Sequence, residues 1–152
     1  MAEKKIWIGN DHGGVQLKNQ IIEYFSKKGY EFNNVGSDEE GIVRYPHYVE
    51  KVVSAIIDKT ADRGILICST GIGMSIAANK FKGIRAALCT STYMAKMTRL
   101  HNDSNVLCLG GQLTGRLEAL DIVETWLTTG FEGGRHCISL GLISEIEEKL
   151  LK

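Results

Sequence analysis

Short apolar runs and longer helical-period stretches alternate along the chain. Lys5 to Gly9 (KIWIG), Ile65 to Cys68 (ILIC), Ile84 to Leu88 (IRAAL) and Asn105 to Leu109 (NVLCL) are compact apolar blocks, each followed by glycine or a polar turn. Blocks of this length without polar alternation predict strands buried on both faces. Glu31 to Val35 predicts a weaker strand. Between these blocks, apolar residues recur at helical spacing. Leu17, Ile21, Tyr24 and Phe25 line a helix over 14–28; Val49, Val52, Val53, Ile56 and Ile57 line one opened by Tyr45-Pro46, since proline suits a first helical turn. Helices follow over about Ser91 to Leu100 and over Thr114 to Thr128, the latter with Ala119, Ile122, Val123, Trp126 and Leu127 inward. A last helix carries Leu142, Ile143, Ile146 and Leu150. Gly36 to Arg44, His101-Asn102-Asp103 and Gly130 to His136 read as loops. Strand and helix alternate with short connections, which predicts an α/β fold with a five-stranded parallel sheet and helices on both faces. No repeat or linker divides the chain, so residues 1–152 are expected to form one domain.

The stretch Gly64 to Lys80, GILICSTGIGMSIAANK, organises the rest. A buried strand ends in Cys68, a loop of small residues (Ser69, Thr70, Gly71, Ile72, Gly73) follows, and a helix starts near Met74. Backbone N–H groups converge at such a turn and hold an anion, either a phosphate or a charge that develops during a reaction. Ligands of parallel sheets bind beyond the carboxyl ends of the strands. Those ends carry Asn10 to Gly14, Cys68 to Gly73, Cys89 to Ser91 and Gly110 to Gln112. His101 precedes the fifth strand, so alternation alone does not bring it there; only a helix ending on that side or a neighbouring subunit could.

Composition narrows the function. Eighteen basic and eighteen acidic residues cancel, so no overall field draws the chain to nucleic acid or an anionic membrane. No apolar stretch approaches the ~20 residues needed to span a bilayer, and MAEKKIWIGNDHGG does not resemble a signal peptide. Four dispersed cysteines without a CxxC pair fit the reducing cytoplasm. Residues 70–73 lack the Gly-Lys-Ser/Thr ending of a nucleotide P-loop, and Gly9 is followed by Asn-Asp-His rather than GxGxxG, so neither ATP nor NAD is expected. HxxH, HxxxH, CxxC and carboxylate–histidine metal spacings are not found, and no metal is expected.

Each candidate has an ordinary alternative. Cys68 is either a thiolate beside an anion site or a small buried cysteine ending a core strand. Asp11 either holds sugar hydroxyls or caps the following helix, and His12 could meet a phosphate or hydroxyl. His101 is either a proton donor or a plain helix-terminal histidine. His136 beside Arg135 either holds an anion or sits in an exposed turn, and His47 reads as surface.

Taken together, NDHGG, YPHY at 45–48, CSTGIGMSIAANKFKGIRAALC at 68–89, HNDSNVLCLGG at 101–111 and EGGRH at 132–136 resemble the type B ribose-5-phosphate isomerase family, which includes the galactose-6-phosphate isomerase subunits. The resemblance runs over nearly the whole chain. It implies a Rossmann-like α/β/α sandwich, a homodimer or tetramer with the active site between subunits, and no metal or organic cofactor. It also implies roles. Cys68 would move a proton between C1 and C2 of the sugar. The N–H groups of Ser69 to Gly73 would hold the enediolate, with Thr70 assisting through its hydroxyl. His101 would open the sugar ring, helped by Asp11. Asn102 would bind a substrate hydroxyl or help hold the enediolate, His12 and Arg135 would lie near the phosphate, and Tyr45 would line the pocket.

Two positions depart from the family. Gln112 and Ser139 stand where relatives usually carry arginines that grip the phosphate, and neither can form a bidentate ionic contact. The expected reaction is therefore metal-free aldose–ketose isomerisation of ribose 5-phosphate. Alternatives are the same chemistry on a hexose phosphate, tetrose phosphate or unphosphorylated sugar, with Arg99 or Arg116 as substitute anion contacts, and a non-catalytic binding or partner subunit.

Overall fold

The computed structural model describes residues 4–39 and 41–150. Five strands form one parallel sheet: β1 (Ile6–Asn10), β2 (Phe32–Asn34), β3 (Arg63–Cys68), β4 (Ala86–Leu88) and β5 (Val106–Gly110), in the order β2-β1-β3-β5-β4. Six helices accompany them: α1 (Val15–Ser26), α2 (Tyr45–Ile57), α3 (Ile72–Ala78), α4 (Thr92–Asn102), α5 (Arg116–Thr128) and α6 (His136–Leu150). The parallel α/β architecture read from the block pattern is the one observed.

Every residue of β3 and β5 is buried, as unalternated apolar strands require. Ile8, Ile65, Ile67, Leu107 and Leu109 meet α1, α4 and α5 on one face, where Trp126, Ile21 and Phe25 fill the core. Leu66, Cys108 and Val106 meet Val49, Val52 and Val53 of α2 and Met74 of α3 on the other. Ile57, expected on the inner stripe of α2, is half exposed at the end of that helix.

Two local expectations change. His101 and Asn102 are the last turn of α4 rather than a loop; the helix stops at Asp103, whose left-handed backbone (φ 44°) caps it. α6 buries none of its residues within the chain, and Ile138, Leu142 and Ile146 on it are more than half exposed. No helix among the described residues is long and apolar enough to cross a membrane.

Strand order positions the site. The chain leaves β1 for β2 on one side and returns to β3 on the other, so the loops after β1 and β3 diverge at this switch point. Asn10 pairs with Ile67 and Cys68 with Gly110, which brings three loop starts side by side.

Candidate active site

The ladder continues past the strands into these loops. Asp11 N–H donates to the Ile67 carbonyl (3.2 Å), Gly111 N–H to Cys68 O (2.8 Å) and Gln112 N–H to Ser69 O (3.0 Å). The loops then interlock without side chains between them. A Cβ on Gly13 would lie 2.3 Å from Ser69 Oγ, and one on Gly111 would lie 2.4 Å from the Gly13 carbonyl. Segments 11–14, 68–73 and 110–112 thus form one floor.

Cys68 lies in this floor, 5% exposed, and its Sγ accepts the Gly71 N–H at 3.1 Å. Gly71 adopts φ +80°, a conformation other residues rarely reach, and this bends the loop back toward the sulfur. Thr70 Oγ1 accepts the Ile72 N–H (3.2 Å). Two of the five expected amide donors are therefore engaged inside the loop. Ser69, Thr70 and Gly73 N–H donate to nothing among the described residues, and these three remain for an oxyanion. Elsewhere in the core, burial pushes the Cys89 thiol up to about 12 and the fully enclosed Cys108 thiol higher still. Those two are structural and chemically quiet.

The wall comes from the loops after β1 and β2. Asp11 Oδ1 accepts the Gly13 N–H (2.9 Å), so the carboxylate does cap the short 3₁₀ turn His12–Gly14. It is nevertheless buried at the switch point. His12 Nδ1 accepts the Val43 N–H (3.3 Å), which leaves Nε2 as the proton-bearing nitrogen of the neutral ring and hence a donor. Tyr45 lays its ring against Gly73, where a Cβ would meet ring carbons at 2.8–3.1 Å. Val43 had no sequence signal, because its backbone rather than its side chain orients His12.

Gln112 Nε2 donates to the Gly13 carbonyl at 3.2 Å, so this side chain lies against the floor. Arg116 opens α5 on the same side and is exposed. Arg99 does not qualify as an anion contact. It is 5% exposed, and its guanidinium donates to Thr129 O, Asp103 Oδ1 and Ser104 O.

The remaining predicted residues lie at the opposite end of the sheet. α4 runs back from the carboxyl end of β4 to the amino end of β5, carrying His101 and Asn102 away from Cys68. The five residues of β5 separate the two ends by roughly 15 Å. Arg135 and Ser139, at the start of α6, belong to this second group and are exposed. His101 stacks on His136, ring centroids 4.0 Å apart and 17° from parallel. Glu132 faces both, 3.8 Å from His101 Nε2 and 3.9 Å from His136 Nε2. This trio has the residue types of a metal site. Sequence spacing alone does not single out Glu132 and His136, four residues apart, because their third member arrives from α4.

Comparison with known proteins follows the same lines. The sequence profile described as Ribose/Galactose Isomerase matches residues 6–143. The ribose-5-phosphate isomerase B structure from Clostridium thermocellum superimposes with a TM-score of 0.93 at 52% identity, covering 95% of this chain and 98% of that one. Ribose-5-phosphate isomerase B of Escherichia coli is 44% identical over 96% of this chain and 98% of its own length. A 4-deoxy-4-sulfo-D-erythrose isomerase of a Clostridium species is 41% identical over 84% of this chain and 80% of its own. These likenesses run over nearly the full length: the chain belongs to the ribose/galactose isomerase family.

Proposed function

We propose that this chain, acting as a single domain in the cytoplasm, is a metal-free aldose–ketose isomerase converting ribose 5-phosphate to ribulose 5-phosphate. The observation that carries the reading is Cys68 at the switch point, held by the Gly71 N–H beside three unengaged amides. As a thiolate, Cys68 takes the proton from C2 of the open aldose, and the carbonyl oxygen becomes the enediolate oxyanion. The amides of Ser69, Thr70 and Gly73 stabilise that charge, and the Thr70 hydroxyl lies beside them. Removing one such donor costs about 3 kcal/mol, ~10²-fold in rate. A proton then passes from O2 to O1, and the proton held on Cys68 returns at C1 as the C2 carbonyl forms, giving the ketose.

Ring opening comes first. It needs an acid for the ring oxygen and a base for the C1 hydroxyl, with Asp11 fixing the ring. His101 is the group suited to this, and it lies at the wrong end of its own chain. A second copy supplies it: His101 and Asn102 of the partner subunit complete the pocket, with the partner subunit's Arg135 and Ser139 near the phosphate end beside His12. The exposed apolar residues of α3 (Ile72, Ile76), α4 (Tyr93, Met94) and α6 (Leu142, Ile146) support a homodimer or a dimer of dimers.

A second reading keeps the chemistry and changes the substrate. Gln112 offers a neutral amide already turned toward Gly13, and a relative is named for a four-carbon sulfonated sugar. A sulfonate is a monoanion with three acceptor oxygens and demands less positive charge than a phosphate dianion. This reading predicts a preference for a short sulfonated or weakly charged sugar in a substrate panel.

The test of the chemistry is Cys68→Ala, with proton exchange at the sugar carbon followed in D₂O. The variant should bind sugar and lose exchange by about 10²–10⁴-fold. Full exchange in this variant sinks the assignment.

A further inference from the structure

The link between α5 and α6 is fastened to the end of α4 at two points. Arg99 Nε donates to the Thr129 carbonyl (3.1 Å), and Glu132 N–H donates to the Leu100 carbonyl (3.1 Å). Between the second fastening and α6 the chain turns through Gly133 (φ +72°) and Gly134 (φ +58°). A Cβ at either glycine would meet nothing within 4 Å, so they serve the backbone turn and not packing. What the turn accomplishes is to place two side chains against His101. The His136 ring lies flat on it, and the Glu132 carboxylate faces Nε2 of both rings. His136 Nε2 is buried and has no hydrogen-bond partner among the described residues, and the Glu132 carboxylate lies 3.9 Å from it. A histidine at the end of a helix otherwise turns freely about both side-chain torsions. Here one face is covered and one edge faces a carboxylate.

We propose that Glu132 and His136 are positioning residues for His101, fixing the plane of its imidazole and holding its proton-bearing edge for ring opening in the partner subunit's pocket. The inference rests on the reading of His101 as the ring-opening acid. A misplacement of about 1 Å in a catalytic group can cost 10²-fold, which is the size of effect a stacked ring and a carboxylate can prevent.

The step can be isolated chemically. Ribose 5-phosphate is a closed furanose that must open. Ribulose 5-phosphate carries its phosphate on O5 and cannot close a five-membered ring, so enzyme-catalysed exchange of its C1 proton in D₂O bypasses ring opening. Glu132→Gln and His136→Ala should lower kcat for ribose 5-phosphate about 10- to 100-fold and leave the exchange rate within about twofold. His136→Phe, which keeps a flat ring, should recover part of the loss. Equal loss in both assays marks a merely structural role and overturns the inference, as does an unchanged kcat. His101→Ala is the control for the underlying reading. If it splits the two assays and the other variants do not, only the positioning roles fall. If it does not split them, the role of His101 falls and this inference with it.

Discussion

Cys68 Sγ and Gly71 N–H lie 3.1 Å apart across the tight loop that follows β3. The contact depends on Gly71 at φ +80°, where a Cβ would also lie 2.6 Å from Leu88 Cδ1 and 2.9 Å from the Leu109 carbonyl carbon. Gly71→Ala therefore meets two costs, a left-handed backbone worth about 1–2 kcal/mol and a collision with β5. The loop must shift, taking the amide from the sulfur. Thermal unfolding should show Tm lowered by roughly 5 °C, and kcat should fall on the order of 10²-fold. A folded Gly71→Ala protein with undiminished kcat would show that the contact is dispensable.

Cys68 and His101, by contrast, sit at opposite ends of one sheet, so the proposed reading requires a site shared between two copies. Cys68→Ala and His101→Ala should each be nearly inactive. Co-refolded or co-expressed in equal amounts, they pair randomly. About half of the dimers are then mixed, each with one intact and one doubly altered site, and about a quarter of wild-type activity returns. Steady-state assays before and after mixing measure this. A mixture no more active than its parts means that the site is not shared.

How much of this the sequence revealed depends on distance along the chain. The strands, their parallel sense and the loop at Cys68 were readable because apolar period and glycine turns are local signals. Asp11 and Cys68 could be joined because a parallel sheet lines up its carboxyl ends. The packing of Tyr45 on Gly73 and the Val43 N–H on His12 left no trace, since a backbone amide looks alike at every residue. Arg99 looked available as a free cation and proved buried, with its donors engaged, because only the fold reveals Thr129, Asp103 and Ser104 around it. The Glu132–His136 spacing went unread, and it acquires meaning only where α4 delivers His101.

Gln112 bears on the substrate. Its amide now meets the Gly13 carbonyl, and Gln112→Arg would add a guanidinium at the phosphate end of the pocket. A hydrogen bond to a charged group contributes about 1.5–3 kcal/mol, so KM for ribose 5-phosphate should fall about tenfold or more if the pocket is built for phosphate. Competition assays with phosphorylated, sulfonated and free sugars complete the test. An unchanged KM for ribose 5-phosphate, with a sulfonated tetrose turned over faster by the unaltered protein, would favour the second reading.

His101, Glu132 and His136 raise the question of a metal, because their ligand atoms all lie within 4.8 Å of one another. Ring geometry argues against a shared ion. The two imidazoles are 17° from parallel with centroids 4.0 Å apart, so their in-plane nitrogen lone pairs run side by side. An ion held about 2.0–2.1 Å from both nitrogens needs those directions to converge. Reaching that geometry would break the stack and withdraw His101 from ring opening. Prolonged dialysis against EDTA should therefore leave kcat unchanged, with metal content followed in parallel. Activity that falls with chelator and returns with a divalent metal would replace proton transfer through an enediolate with a metal-assisted hydride shift, and Cys68→Ala would then retain its turnover.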